Sequence, residues 1–181
     1  MFETEARSKG CPIVVKIQTN GSELTLQPRD LRQQAVRLGL PKIEMDRRQI
    51  ELAFKNLLHN AIKYSFRSIP NRPPRFIEVR VRFHGRDTCE VSFTNYGVGI
   101  MVDEIQRGLI WKPWYRGRLS MDRNRTGVGL GLAIVKRMIE ETHSGRVDVE
   151  SVPQLRGAYR TTFRVTLPIS RLGHGTKETR T

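Results

Sequence analysis

Residues 91–100 read VSFTNYGVGI, in which alternating apolar residues run directly into the glycine pair Gly97 and Gly99. The alternation predicts a strand with one buried face. Two glycines separated by one residue are as typical of a β-turn as of a backbone that closely approaches a ligand. Asn95 is the last polar side chain before the glycine pair. Its role has to be inferred from the other motifs of the chain.

The composition is that of one globular domain. The chain has 181 residues, 38% of them hydrophobic and 28% charged, which suits a single core. No apolar run approaches the ~18 residues of a membrane-spanning helix, and the acidic start does not fit a secretory signal. Cys11 and Cys89 lack metal or redox spacing, and Cys89 fits a buried free thiol. We expect residues 1–11 to be the remnant of an upstream segment and the rest of the chain to form a cytoplasmic domain. The parent protein could be either membrane-anchored or free of the membrane.

The charge is strongly positive. A net charge of +14, from 32 Lys and Arg against 18 Asp and Glu, favours anionic partners such as nucleotides, nucleic acid or an anionic membrane. The arginines concentrate at residues 66–86 and 107–125. The first segment is typical of a solvated basic face, whereas the second lies between two glycine motifs.

The order of elements predicts an α/β domain. Strands are indicated at 12–19, 76–83, 88–95, 146–152 and 161–168, and helices within 27–43, from Asp46 to 62, near 102–108 and at 132–143. Residues 84–87 fit a hairpin turn, 68–74 and 112–131 fit loops, and 169–181 fit a polar tail. We expect an α/β (α+β) two-layer sandwich, with a mixed, mainly antiparallel sheet of about five strands and about three helices on one face.

The helix that begins after Asp46 carries a polar stripe. Asn56, Asn60 and Lys63 are spaced by four and three residues, opposite the apolar face. Most such stripes are solvated, but asparagine is a poor choice for a helix that only faces water. An asparagine oxygen can also complete a Mg²⁺ shell without adding charge. The stripe is therefore compatible with either a solvated surface or a metal-nucleotide site.

A second glycine motif precedes the helix at 132–143. Gly127, Gly129 and Gly131 alternate and then the helix begins. Successive free backbone N–H groups at a helix start favour phosphate binding. The motif is not a Walker loop, because no Gly-Lys-Ser/Thr follows, and a loop rather than a strand precedes it, unlike a dinucleotide fingerprint.

Taken in order, these motifs resemble those of the catalytic, ATP-binding domain of sensor histidine kinases, within the GHKL ATPase superfamily of gyrase-type topoisomerases and a heat-shock chaperone class. NLLHNAIKYS (56–65) is similar to the N box, and NYGVGI (95–100) to the first glycine box. WKPWYRG (111–117) is similar to the aromatic box, and GVGLGLAIVK (127–136) to the second glycine box. The resemblance covers residues 12–168 and implies a flexible ATP lid at about 112–126.

The resemblance implies ATP and Mg²⁺ as cofactors. Asn60 would hold the Mg²⁺ with support from Asn56, Lys63 would reach the phosphates, and these are the implied catalytic residues. Tyr64 would lie against the adenine, and the lid arginines would neutralise the triphosphate. Trp111 and Trp114 are expected to pack the base of the lid into the core. The full implied ATP-binding set is Asn56, Asn60, Lys63, Tyr64, Asn95, Gly97, Gly99, Ile100, Tyr115, Arg116, Arg123, Arg125, Gly127, Val128, Gly129, Leu130, Gly131 and Leu132.

Two asparagines depart from the family pattern. Asn56 stands where ATP-hydrolysing relatives have a glutamate that activates water, which favours transfer to a protein side chain over hydrolysis. Asn95 stands where the family usually has an aspartate that accepts a hydrogen bond from the adenine amino group. The oxygen of an amide accepts a hydrogen bond without the negative charge that strengthens the bond to a carboxylate, and the amide nitrogen can also donate one. We therefore expect weaker ATP binding with less purine discrimination.

No histidine fits the family's phosphoacceptor. His59, His84, His143 and His174 all lack its context, so we interpret them as ordinary residues. The acceptor histidine is then expected on a separate or missing domain, which would also dimerise, and a response regulator is the expected downstream partner.

Two other functions stay open. A related anti-sigma-type serine kinase would share these motifs, and its phosphoserine would be stable to acid, unlike phosphohistidine. A basic nucleic-acid-binding module with a degenerate ATP pocket would bind DNA in a salt-dependent way that Asn60 does not affect. No DNA-reading motif supports the latter.

Overall fold

The computed structural model of the chain describes residues 2–19, 22–27, 30–41, 43–67, 75–85, 87–122 and 127–169. The helices are α1 (Phe2–Ser8), α2 (Leu31–Arg37), α3 (Arg47–Tyr64), α4 (Val102–Gln106), α5 (Arg118–Asp122) and α6 (Gly131–Lys136), which continues as a π-helical stretch over Arg137–Thr142. The strands are β1 (Ile13–Thr19), β2 (Ser22–Leu26), β3 (Ile77–His84), β4 (Thr88–Gly97), β5 (Arg146–Pro153) and β6 (Tyr159–Pro168). Short 3₁₀ turns lie at Leu109–Trp111 and Leu155–Gly157.

The strands form a 6-stranded sheet in the order β2-β1-β3-β4-β6-β5. The β1–β3 pair is parallel and the other neighbouring pairs are antiparallel, which confirms the predicted mixed, mainly antiparallel sheet. The sequence prediction missed β2. This strand is at the sheet edge and mostly exposed, so it lacks the apolar alternation that marks strands with a buried face.

The core lies between one face of the sheet and the helices α3 and α6. The apolar side of α3 buries Ile50, Ala53, Leu57, Ala61 and Ile62, as its spacing predicted. They pack in two clusters with the inner residues of β1, β3, β4 and β6 and with Val135 and Ile139.

The start of α3 is capped as predicted. The carboxylate of Asp46 accepts hydrogen bonds from the backbone N–H groups of Arg48 and Gln49 at 2.9 and 3.1 Å. These backbone donors lower the pKa of Asp46. The cap fixes where the helix begins, and hence which of its residues face the core.

The outer face of the sheet carries ion pairs. Arg80 and Lys16 pair with Glu78 at 3.0 and 3.2 Å, and Arg164 pairs with Glu150 at 2.9 Å. Arg82 donates to Gln18 at 2.8 Å. These contacts balance part of the positive charge of the 66–86 segment, whose Arg72 and Arg86 lie outside the described residues.

The structure confirms the predicted hairpin between β3 and β4 but shows a short helix within a segment predicted as a loop. β3 and β4 pair antiparallel up to His84 and Thr88, and Gly85 between them has φ +62°, as expected for a hairpin. The segment predicted as a loop at 112–131 contains the short helix α5, whose five residues give too little periodicity to recognise. Among the helices in the described ranges, none is both long enough and apolar enough to cross a bilayer.

Candidate functional site

A cavity of about 380 Å³ opens between α3, the end of β4, the start of β6, and the segments 98–100, 115–120 and 127–132, the second of which belongs to the predicted lid. Every predicted site residue lines it except Gly97, Arg123 and Arg125, the last two of which lie outside the described residues. The lining members of the predicted set are Asn56, Asn60, Lys63, Tyr64, Asn95, Gly99, Ile100, Tyr115, Arg116, Gly127, Val128, Gly129, Leu130, Gly131 and Leu132.

Gly97 does not line the cavity and instead packs closely against the end of α3. A Cβ at this position would lie 1.9 Å from the carbonyl oxygen of Tyr64 and 2.8 Å from Cα of Ser65. The next residue, Val98, donates its N–H to the same Tyr64 oxygen at 2.8 Å. Gly97 is therefore needed where the end of α3 meets β4, and it is not part of the cavity wall.

Gly99 does line the cavity, and its missing side chain serves the packing behind it. A Cβ here would lie 2.1 Å from the ring of Tyr159. The glycine lets the backbone of residues 98–100 lie flat against that ring while its other side faces the cavity.

The polar stripe of α3 faces the second glycine motif. Asn56 donates its amide Nδ2 to the carbonyl of Leu52 at 3.0 Å, which leaves its Oδ1 on the side of Gly131, where a Cβ would lie only 3.2 Å away. Lys63 reaches Gly127 so closely that a Cβ there would lie 2.5 Å from its Nζ. The stripe is thus a wall of the cavity rather than a solvated face.

The second glycine motif is held against the aromatic segment. Gly129 has φ +80°, a conformation that favours glycine, and a Cβ would lie 2.7 Å from the carbonyl oxygen of Tyr115. The backbone N–H of Trp114 donates to the Gly129 carbonyl at 2.9 Å. Together these contacts fix the glycine backbone opposite α3.

A buried glutamate that the sequence analysis overlooked holds the near end of the predicted lid. Glu104 is fully buried and accepts hydrogen bonds from the Tyr115 hydroxyl at 2.8 Å and the Arg118 N–H at 2.9 Å. It also accepts from the N–H of Met101 at 3.0 Å. Burial, and secondly the bond to Glu104, raise the pKa of Tyr115. The acidic first turn of α4 was the available signal.

The two tryptophans differ, contrary to the common role predicted for them. Trp111 packs edge-on against Phe163 with ring centroids 6.1 Å apart and contacts the core, as expected. Trp114 is 68% exposed and has φ +66°. The hydrogen bond from its N–H to Gly129 holds this backbone in place, so the side chain points away from the core.

The floor of the cavity is polar where β4 and β6 end. Asn95 is paired in register with Thr161, and Thr161 with Ser151 of β5. The hydroxyls of Thr161 and Ser151 lie 2.9 Å apart, and the Ser151 oxygen accepts the N–H of Ile100 at 3.0 Å. Asn95 is 3% exposed, and its Nδ2 has no hydrogen-bond partner in the described part of the chain. Thr161 had not been predicted.

The cavity carries positive charge. Lys63 and Arg116 line it, and none of its described lining residues is Asp or Glu. Among the described residues, there is also no group of three or more His, Cys, Asp or Glu side chains that could hold a metal ion. The site therefore suits an anionic ligand that brings its own ligands for any metal.

Comparison with known proteins places this architecture. A family model described as "Histidine kinase-, DNA gyrase B-, and HSP90-like ATPase" matches residues 45–171, more than half of the chain. The chain belongs to this ATPase family. The predicted superfamily is thereby confirmed.

Two relatives of this ATPase domain are histidine kinases by name. The methanogenesis regulatory histidine kinase FilI of Methanothrix harundinacea is 35% identical over 128 residues, and the sensor histidine kinase MtrB of Mycobacterium leprae is 36% identical over 134 residues. The matches cover 67% and 72% of this chain, but only 13% and 20% of those proteins. The chain thus spans a small part of these relatives.

A solved structure shares the fold of the ATPase domain. The mycobacterial sensor histidine kinase MprB matches with a TM-score of 0.65 over 94% of this chain and 91% of that one, at 23% identity. This likeness confirms the predicted two-layer fold.

The histidines of the ATPase domain have varied surroundings. The ring of His143 accepts the N–H of Asp46 at 3.0 Å through Nε2 and lies 2.6 Å from the Met138 carbonyl through Nδ1, which is a structural role. His84 ends β3 at the hairpin, as predicted. His59 lines the cavity, which the sequence analysis did not foresee, and His174 lies outside the described residues.

Proposed function

We propose that the cavity binds Mg²⁺-ATP and that the domain transfers the γ-phosphoryl group to a histidine on a separate phosphoacceptor domain. One observation carries the proposal: the Asn56–Lys63 stripe of α3 faces the glycines at 127–131 across a positively charged cavity whose described lining residues include no carboxylate. Such a wall of cations and glycine backbone suits a triphosphate.

The two sides of the cavity suit the two parts of a nucleotide. Val98, Ile110 and Phe163 line the cavity beside the polar floor of Asn95 and Thr161, an arrangement that suits a flat heterocycle with a polar edge. Lys63 lies against Gly127, where it would neutralise phosphate charge.

The residues present fit a magnesium ion that is bound mainly through the nucleotide. Asn60 would hold it by its amide oxygen, with Asn56 one helical turn away, and phosphate oxygens and water would complete the shell. When bound, the ion supplies charge neutralisation at the phosphates. The neutral amides add no charge that would compete with that role.

The absence of a carboxylate from the described cavity lining supports transfer over hydrolysis. Asn56 cannot remove a proton from water, whereas a neutral imidazole nitrogen attacks phosphorus without a strong base. The P–N bond forms as the bond from γ-phosphorus to the ADP oxygen breaks, and ADP leaves.

The partners that follow from this proposal are a dimerising phosphoacceptor domain and a response regulator. We place the reaction in the cytoplasm, and the buried free thiols of Cys11 and Cys89 are compatible with a reducing compartment.

Equilibrium binding of ATP with and without Mg²⁺ tests the site. We expect Mg²⁺ to tighten ATP binding to the wild type, and Asn60→Ala to lower the affinity in Mg²⁺ by about tenfold or more. Lys55→Ala is the matched control, because Lys55 is an exposed residue of the same helix whose ammonium contacts Glu51 at 3.8 Å. Equal Mg²⁺-dependent binding by the wild type and Asn60→Ala would show that the site assignment is wrong.

The acceptor is tested by the stability of the phosphoryl label. When the full parent protein is incubated with γ-labelled ATP, we expect a label that is lost in acid and retained in base. An acid-stable label would exclude a phosphohistidine, would fit a phosphate ester such as phosphoserine, and would overturn this part of the proposal.

A further inference from the structure

Asn95 presents an unsatisfied amide at the floor of the cavity. It lies on the same face of β4 as the core residues Val91 and Phe93, because side chains two apart on a strand share a face. It is 3% exposed and lines the cavity, and its Nδ2 has no partner among the described residues. A buried unpaired N–H is unfavourable, so a ligand that can accept a hydrogen bond here would be favoured.

The neighbouring polar group can also change its hydrogen-bonding role. The Ser151 oxygen accepts the Ile100 N–H, and its hydroxyl proton can point to Thr161 or leave Thr161 to donate instead. Thr161 sits beside Asn95 in register. The floor therefore has two adjacent groups, an amide and a hydroxyl, and each can donate or accept.

The described part of the cavity lining carries no fixed negative charge that would restrict these hydrogen-bonding roles. A carboxylate at the floor could only accept, which would favour a base with an amino group and disfavour one with a carbonyl. The described lining residues of the cavity include neither Asp nor Glu. The buried Glu104 is not among these lining residues, and it already accepts hydrogen bonds from the Tyr115 hydroxyl and from backbone N–H groups.

We propose that this site accepts 6-oxo purine nucleotides as well as ATP. The proposal rests on the proposed function, that the cavity binds a purine nucleoside triphosphate. With a 6-amino purine, the Asn95 amide would accept from the amino group and donate to N1. With a 6-oxo purine, a 180° turn of the amide would let it donate to O6 and accept from N1–H. Val98 and Phe163, which line the cavity, would contact either base equally.

Inosine triphosphate is the matched probe, because it differs from ATP only at the edge that Asn95 would contact. Binding of ATP and inosine triphosphate to the wild-type chain is measured in Mg²⁺ by calorimetry. We expect dissociation constants within about tenfold of each other. Asn95→Asp, which keeps the side-chain size, is expected to tighten ATP binding and to weaken inosine triphosphate binding. The ratio of the two constants should change by about tenfold or more.

The outcomes separate this proposal from the one on which it rests. Binding of neither nucleotide would overturn the proposed function itself. Tight ATP binding with inosine triphosphate about 100-fold weaker in the wild type would overturn only the inference about the base. An unchanged ratio in Asn95→Asp, with an unchanged thermal melt, would also overturn it. The wild-type comparison decides the matter even if the variant does not fold.

Discussion

Replacing Gly97 by alanine tests how the first glycine motif is built. The new Cβ would lie 1.9 Å from the Tyr64 carbonyl oxygen and 2.8 Å from the Ser65 Cα. Both neighbours are backbone atoms, so no side-chain rotation can relieve the overlap. Either β4 or the end of α3 must move by more than an ångström, which would disrupt the 2.8 Å hydrogen bond from Val98 to Tyr64.

The expected loss of stability follows from these two effects. Overpacking of a tight site costs about 1–3 kcal/mol, and the disrupted hydrogen bond adds about 1 kcal/mol. We expect Gly97→Ala to lower the free energy of unfolding by about 3 kcal/mol, which corresponds to a fall in Tm of roughly 6–12 °C for a domain of this size. Urea denaturation followed by circular dichroism measures the change directly.

Gly117→Ala is the matched control. A Cβ at Gly117 would have its nearest contact at 3.6 Å, with Glu104 Oε2, an ordinary van der Waals distance. Its stability should stay within about 1 kcal/mol of the wild type. If Gly97→Ala were as stable as Gly117→Ala, the close junction of α3 with β4 described above would be wrong.

Three further predictions concern the surroundings of the cavity. Glu104→Ala should lower the free energy of unfolding by about 3 kcal/mol, because it leaves the Tyr115 hydroxyl and nearby backbone donors unpaired. Glu104→Gln keeps an acceptor, so it should lower the free energy of unfolding by less in the same denaturation assay. Equal losses of stability in the two variants would contradict the role given to these hydrogen bonds. Trp114→Phe should remove most of the iodide-quenchable tryptophan fluorescence, since Trp114 is 68% exposed. Trp111→Phe should leave that quenchable fluorescence unchanged. The reverse pattern would show that Trp111, and not Trp114, is the exposed tryptophan. Burial raises the pKa of Cys89 to about 11, so its thiol stays protonated as the pH rises from 7 to 9. Alkylation of Cys89 in the folded protein should therefore stay slow over this pH range. Rapid modification of Cys89, detected by mass spectrometry, would count against its burial.

The sequence predicted those elements whose burial repeats along the chain. The apolar spacing of α3 and the alternation along β4 were both visible, since each element buries one face along most of its length. The edge strand β2 was missed because it is mostly exposed, and the five-residue α5 was missed because it is shorter than two helical turns.

The site was predicted at the level of its motifs and less well at the level of individual atoms. The glycines at 97 and 99 were both expected to face a ligand, but the contacts of Gly97 with Tyr64 depend on where α3 ends against β4. Thr161 lies far from Asn95 in sequence, and only the β4–β6 register brings them together. The buried Glu104 escaped notice because acidic residues in a first helical turn are usually exposed.

Chemical-shift mapping of the 20.9 kDa chain with Mg²⁺-ATP shows directly whether the nucleotide binds in this cavity. We expect the largest backbone amide changes at residues 56–64 of α3, at Gly99 and at 127–132. Changes confined to the outer face of the sheet, around Arg80 and Arg164, would contradict binding in this cavity and would point to the arginine-rich face as the anion-binding surface.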